Sequence, residues 1–165
     1  MDEIRDKLNA SSWKESGNCE ESKLAIAGEE ILLLKPQLYM NCSGEAIAET
    51  VRFYKVSIEN IIVFQDELDL VPGVIKIKQG GGAAGNKGIQ DIIQELGSDF
   101  IRFRIGIGHP RDEALDMDVS DWVLTKPKAE HQELLASAIS KCPEIAESLI
   151  KSGLKEAQRR FHTSS

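Results

Sequence analysis

The chain has 165 residues, is 41% hydrophobic and 28% charged, and carries a net charge of −7. That length suits one domain with a sizeable core, and the acidic balance excludes broad, nonspecific binding to nucleic acid. Cys19, Cys42 and Cys142 are irregularly spaced, with no histidine at ligand spacing, which excludes a disulfide framework and a zinc site and fits a reduced, cytoplasmic setting. No apolar run approaches the ~18 residues of a membrane span, and the polar N-terminus does not read as a secretory signal.

In chain order, Asp2–Asn9 carries Ile4 and Leu8 at i, i+4 and reads as a short amphipathic helix without a lead-in. Lys23–Ala27 and Glu30–Leu34, split by Gly28-Glu29, read as a hairpin ended by Pro36. Ser43-Gly44-Glu45 opens a helix with Ile47, Val51 and Tyr54 on one face. Asn60–Phe64 is a continuous apolar run expected to form a buried strand, followed by the acidic "QDELD" and the turn Val71-Pro72-Gly73. Val74–Lys78 predicts a half-exposed strand, with Ile75 and Ile77 inward and Lys76 and Lys78 outward. Ile89, Ile92, Ile93 and Leu96 form a helical stripe that stops at Gly97. Phe100–Ile107 alternates strictly, placing Ile101, Phe103, Ile105 and Ile107 on one face and Arg102 and Arg104 on the other. From Lys128 two helices are expected, the second starting near Pro143. Strands alternating with helices predict an α/β fold: a single domain over residues 1–165, a sandwich whose mixed, mostly parallel central sheet is flanked by helices.

Between the fourth strand and the following helix lies "KQGGGAAGNKG". Gly80, Gly82 and Gly85 satisfy G-x-G-x-x-G, yet the preceding strand is half-charged, the motif lies mid-chain, and no acid follows at the distance where a ribose would need one. A phosphate loop is excluded as well, because Asn86 stands where a second glycine belongs and Gly88 where a magnesium-holding hydroxyl belongs. The surroundings are locally basic. Lys76, Lys78, Lys87, Arg102 and Arg104 face only Asp91, Glu95 and Asp99 between residues 73 and 110, and Lys151, Lys155, Arg159 and Arg160 form a second cluster. Both clusters could meet phosphates, but from charge alone both read first as solvated faces.

Ligands of open α/β sheets bind where strands end, which draws attention to Asn41 and Asp66. An aspartate leaving an apolar strand suits orienting a histidine base, and an asparagine suits donating to an oxyanion. A helix cap for Asn41 and a turn acid for Asp66 are the structural alternatives.

"KPQLYMNCSGEAI", "IIVFQDELDLVPGVIKIKQGGGAAGNKGIQDI" and "FIRFRIGIGHP", in this order, with "VSDWVLTKP" before a C-terminal helix, resemble the bacterial-type peptidyl-tRNA hydrolases over nearly the whole chain. The resemblance implies hydrolysis of the ester between peptide and tRNA by a cytoplasmic monomer, with peptidyl-tRNA as partner and neither a metal, an organic cofactor nor a membrane involved. On its motifs, Asp66 matches the aspartate that orients the catalytic histidine, and Asn41 matches the asparagine near the scissile ester. Tyr39 matches an aromatic position at the tRNA end, Lys87 takes the place of asparagine in a usual G-H-N-G, and Lys76, Lys78 and Arg104 lie where basic residues meet the tRNA backbone. Lys87 cannot accept a hydrogen bond as asparagine does, and Gln65 replaces a frequent histidine.

Family members begin with a buried strand, an Asn-Pro-Gly turn and the catalytic His-Asn, and this sequence opens in the middle of the helix that follows. A segment of about 25 residues is therefore expected to be missing, with loss of an interior strand and of the base. His109, His131 and His162 are not expected to replace that base, so little hydrolysis is expected from the 165 residues alone. Translation upstream of the Met1 codon checks this. The alternative function is a weak or inactive tRNA-binding relative.

Overall fold

The computed structural model describes residues 1–113 and 115–162. The chain forms two compact units, Met1–Val63 with Lys78–Ile101, and Phe64–Ile77 with Arg102–Ser165.

In the first unit, helix α1 (Asp2–Lys7) leads into an antiparallel sheet of β1 (Lys14–Ser16), β2 (Cys19–Ile26) and β3 (Glu29–Pro36). The expected hairpin is present and longer than its apolar pattern, but its turn falls at Ala27-Gly28, one residue before the expected Gly28-Glu29, with Ile26 paired to Glu29. Its two-residue turn, Ala27-Gly28, has φ of 54° and 86°, the double left-handed turn that matches strand twist. Asp2 ties α1 down: its carboxylate accepts from Lys35 Nζ at 2.6 Å and Trp13 Nε1 at 2.7 Å, and these donors hold its pKa below the ordinary carboxylate value. Helices α2 (Ser43–Phe53) and α3 (Lys87–Leu96) follow. Their stripes meet in a core of Cys19, Ala46, Ile47, Ile89, Ile92 and Phe100. Burial raises the pKa of the Cys19 thiol, which donates to Ala46 O at 3.2 Å.

A second sheet has the order β4-β6-β5, formed by β4 (Ile62–Glu67), β5 (Ile75–Gln79) and β6 (Ile101–Gly106). Ile101 N bonds Ile61 O and Ile107 N bonds Glu67 O, so β6 runs parallel to β4. Gly80 N bonds Phe100 O and Gly106 N bonds Val74 O, so β6 runs antiparallel to β5. The fold is thus α/β with a mixed sheet, but the expectation of mostly parallel pairing needs correction. Among the described residues only β4–β6 pairs in parallel: the short turn at Ala27-Gly28 forces an antiparallel hairpin, and the short connection after β4 reverses the chain, so β5 runs opposite to β6 although α3 joins them.

In the second unit, Ile75 and Ile77 of β5 are buried, as the alternation predicts. Two other strand expectations change. Ile62, Val63 and Phe64 are only half-buried, whereas Gln65 and Glu67 are buried. On β6, Arg102 is 1% exposed, so the expected arginine face is not a solvent face. The reason is cross-strand pairing: Arg102 Nε donates to Gln65 Oε1 at 2.7 Å, and Arg104 Nε to Glu67 Oε2 at 2.7 Å. Buried polar groups that satisfy one another escape most of the desolvation penalty.

Helices α4 (Val119–Leu124), α5 (Ala129–Ser152) and α6 (Leu154–Phe161) complete the unit. The late helices do not divide at Pro143, which lies buried inside α5. Pro143 removes one intrahelical hydrogen bond, but the apolar face formed by Ala138, Cys142, Ile145, Ala146 and Leu149 continues through it. The break falls at Gly153, whose φ of 81° is left-handed.

Helix α6 caps an edge of β5. Gln158 Nε2 donates to Ile77 O at 2.8 Å, and the Ile77 amide donates to His162 Nε2 at 2.7 Å. Burial and the neighbouring Lys76 charge lower the His162 pKa from its ordinary 6.5. Only neutral imidazole accepts that amide. The resulting stabilisation is complete above pH 6.5 and is lost as the pH falls through the lower folded value. Hydrogen exchange at the Ile77 amide should therefore accelerate beyond the intrinsic trend as the pH is lowered below 6.5, and His162→Ala should remove that dependence; unchanged protection through the acid range would refute it.

Candidate substrate and catalytic residues

Pro36 ends β3, and the chain passes through Leu38 and Tyr39 into a 3₁₀ turn, Met40–Cys42, before α2. Tyr39 is 86% exposed and Met40 52%, so an aromatic ring and a thioether stand outside the core beside exposed Asn41. The turn packs on α3 at Gly88, where an added Cβ would lie 3.1 Å from Met40 O. The first unit therefore brings the turn that carries Tyr39 and Asn41 to the first turn of α3, which begins with exposed Lys87.

Asn41 does not cap α2. That task falls to Asp91 of α3, whose Oδ2 accepts from Gly44 N at 2.7 Å and Glu45 N at 3.1 Å. Asn86, to which the sequence pattern assigns no role, is the N-cap of α3, with its side-chain oxygen accepting from Ile89 N at 3.1 Å. Lys87 stands next to it, where the helix dipole opposes a cation by about 0.3–1 kcal/mol. In the loop before α3, Gly80, Gly81 and Gly85 have φ of 71°, 97° and 83°. The backbone itself requires glycine there. Lys78, at the end of β5, is half-exposed.

In the second unit Asp66 lies within β4, not in a turn, and is half-exposed between buried Gln65 and Glu67. Lys76 is half-exposed on β5 between buried Ile75 and Ile77. Arg104 is spent largely on Glu67. The C-terminal basic cluster is likewise offset within the helices: Lys151 pairs with Glu147 at 2.7 Å, Arg159 with Glu156 at 2.5 Å, and Arg160 with Glu144 at 2.5 Å.

The three histidines have structural partners. His109 Nδ1 accepts from Arg111 N at 3.2 Å, consistent with the turn expected at "GIGHP". His131 is buried beside Glu113 at 3.3 Å, and His162 serves β5. Among the described residues no three of His, Cys, Asp and Glu are grouped to hold a metal ion, and no helix is long and apolar enough to cross a membrane.

Three support residues are not legible from pattern alone: Gln65, Asp91 and Arg102. The first and last leave a trace there, because Gln65 and Glu67 alternate on one strand and Arg102 and Arg104 on another with complementary chemistry. Nothing in the sequence says that these strands are neighbours.

Comparison with known proteins follows the same lines. The family model for peptidyl-tRNA hydrolase matches residues 1–165. A peptidyl-tRNA hydrolase of Bordetella avium is 42% identical over 164 residues, covering 98% of this chain and 79% of the relative. The enzyme of the same name from Bordetella parapertussis is 45% identical over 142 residues, covering 86% of this chain and 66% of the relative. The crystal structure of peptidyl-tRNA hydrolase from Acinetobacter baumannii superposes with a TM-score of 0.91 at 32% identity, covering 99% of this chain and 83% of that one. This chain belongs to the peptidyl-tRNA hydrolase family, hydrolases that act on the ester bond of peptidyl-tRNA.

Proposed function

We propose that the residues singled out above divide the work of hydrolysing the ester between a peptide and the terminal ribose of tRNA, in a monomeric cytoplasmic enzyme. A base-activated water attacks the ester carbonyl carbon, the bond to the ribose oxygen breaks, and that oxygen leaves with a proton. Asp66 orients the histidine base and stabilises its protonated form. Asn41 donates a hydrogen bond toward the ester oxygen on which negative charge develops. Tyr39 offers an exposed ring for the terminal bases to stack on. Lys87 supplies a donor and a charge for phosphate, and Lys76 and Lys78 follow the tRNA backbone, whereas Arg104 is largely withdrawn from that role by its pairing with Glu67.

The observation that carries this reading is the capping of α2 by Asp91. With that duty filled, Asn41 is left exposed for a substrate on the turn that packs against the first turn of α3.

The test measures cleavage of N-acetylaminoacyl-tRNA and binding of uncharged tRNA side by side. Lys76→Ala and Lys78→Ala should each weaken binding and reduce the slope of log affinity against log salt by about one. Unchanged slopes in both variants would refute the backbone-contact assignment. Binding without any cleavage would instead assign an RNA-binding relative. Running the assay on the 165 residues and on a chain extended through the in-frame upstream codons measures whether residues outside this sequence contribute the base.

A further inference from the structure

Asp66 sits on the strand between two buried polar neighbours, and one of them is wired to it. Gln65 is 8% exposed, and Arg102, at 1%, is the largest fully buried side chain among the described residues. Arg102 Nε donates to Gln65 Oε1 at 2.7 Å, and Gln65 Nε2 donates to the backbone oxygen of Asp66 at 3.2 Å. The guanidinium can only donate, so it fixes which end of the Gln65 amide faces it and turns the NH₂ end toward Asp66. Burial locks both side chains.

We propose that Gln65 and Arg102 are positioning residues for Asp66, a buried clamp that holds its peptide so that the carboxylate on the opposite face of β4 is presented at one height and angle. This rests on the reading of Asp66 as the carboxylate that orients the base. Misplacement of such a group by about 1 Å costs on the order of 100-fold in rate, although the moving residue touches no substrate. In the clamp the residue before Asp66 both accepts and donates. The clamp explains why a long cation is tolerated in the interior beside that residue.

Gln65→Glu separates positioning from packing. The carboxylate keeps the bond from Arg102 and adds charge to it, but it has no proton to donate to Asp66 O. The thermal midpoint is therefore expected to hold, while kcat for N-acetylaminoacyl-tRNA, measured in whichever of the 165-residue and upstream-extended chains cleaves it, falls about 10- to 100-fold with KM within about twofold. The acidic limb of the kcat/KM profile should move to lower pH, because a displaced Asp66 supports the protonated base less well. Gln65→His, with both a donor and an acceptor, should keep kcat within about threefold, and Gln65→Leu, with neither, should fall like Gln65→Glu. This second pair reads the same contrast if the glutamate variant does not fold. Equal kcat in the folded variants overturns the clamp. Measuring Asp66→Asn in the same series keeps the two ideas apart. Full activity in Asp66→Asn removes the underlying reading, and with it the clamp. Lost activity in Asp66→Asn with wild-type kcat in the Gln65 variants removes the clamp alone.

Discussion

In whichever form cleaves peptidyl-tRNA, the 165 residues or the chain extended through the in-frame upstream codons, Asp66→Asn should lower kcat by about 10²–10⁴-fold while leaving tRNA affinity within about twofold. The substitution is nearly isosteric and falls on a half-exposed position of β4, so the strand and its buried neighbours Gln65 and Glu67 are undisturbed. What changes is charge and hydrogen-bond character. An amide cannot stabilise an imidazolium, and when its NH₂ end faces the ring it favours the wrong tautomer of the base. Binding depends on phosphate contacts elsewhere and should not follow. Single-turnover cleavage and tRNA filter binding on the same preparation decide the matter. Retained cleavage, or a parallel loss of both activities, would show that Asp66 is not the orienting carboxylate.

Gly44→Ala should be the most damaging small change in the first unit. A Cβ at Gly44 would lie 2.4 Å from Asp91 O, 2.5 Å from its carbonyl carbon and 2.7 Å from Ile92 N. These are backbone atoms of α3, so relief requires moving α3 away from α2. That motion opens the core of Ala46, Ile47, Ile89 and Ile92 and breaks the bonds from Gly44 N and Glu45 N to Asp91. Overpacking costs about 1–3 kcal/mol and a lost cap about 1 kcal/mol more. A fall in thermal midpoint of roughly 10 °C is expected for a protein of this size. Gly82→Ala is the control, because nothing lies within 4 Å of its added Cβ, and its midpoint should stay within about 2 °C. Equal midpoints for the two variants would mean that α2 and α3 are free to separate at little cost.

Elements driven by one-dimensional pattern were legible in the sequence. The stripe of α3, its stop at Gly97, the Ile75/Ile77 alternation of β5 and the hairpin depend on neighbours along the chain; the first three appear where expected, and the hairpin appears with its turn one residue early. Failures arose where a distant partner decides. Proline as a helix boundary is a local rule, and at Pro143 a continuous apolar face overrode it, leaving Gly153 as the break. The arginines of "FIRFR" match a solvated strand face until Gln65 and Glu67 are known to lie across from them.

The candidate residues divide in the same way. By itself the sequence determined the family, the glycine loop's lack of a nucleotide fingerprint context, and the side-chain chemistry available at Tyr39, Asn41, Asp66 and Lys87, because these depend on residue type and order. Only the tertiary structure decided that Asp91 relieves Asn41 of capping, that Arg104 is offset by Glu67, and that Arg102 and Gln65 stand behind Asp66. Those facts are hydrogen bonds between residues 37 to 47 positions apart, or relayed through them. No periodicity in the sequence encodes which of many possible partners will close such a distance; the packing of strands and helices does.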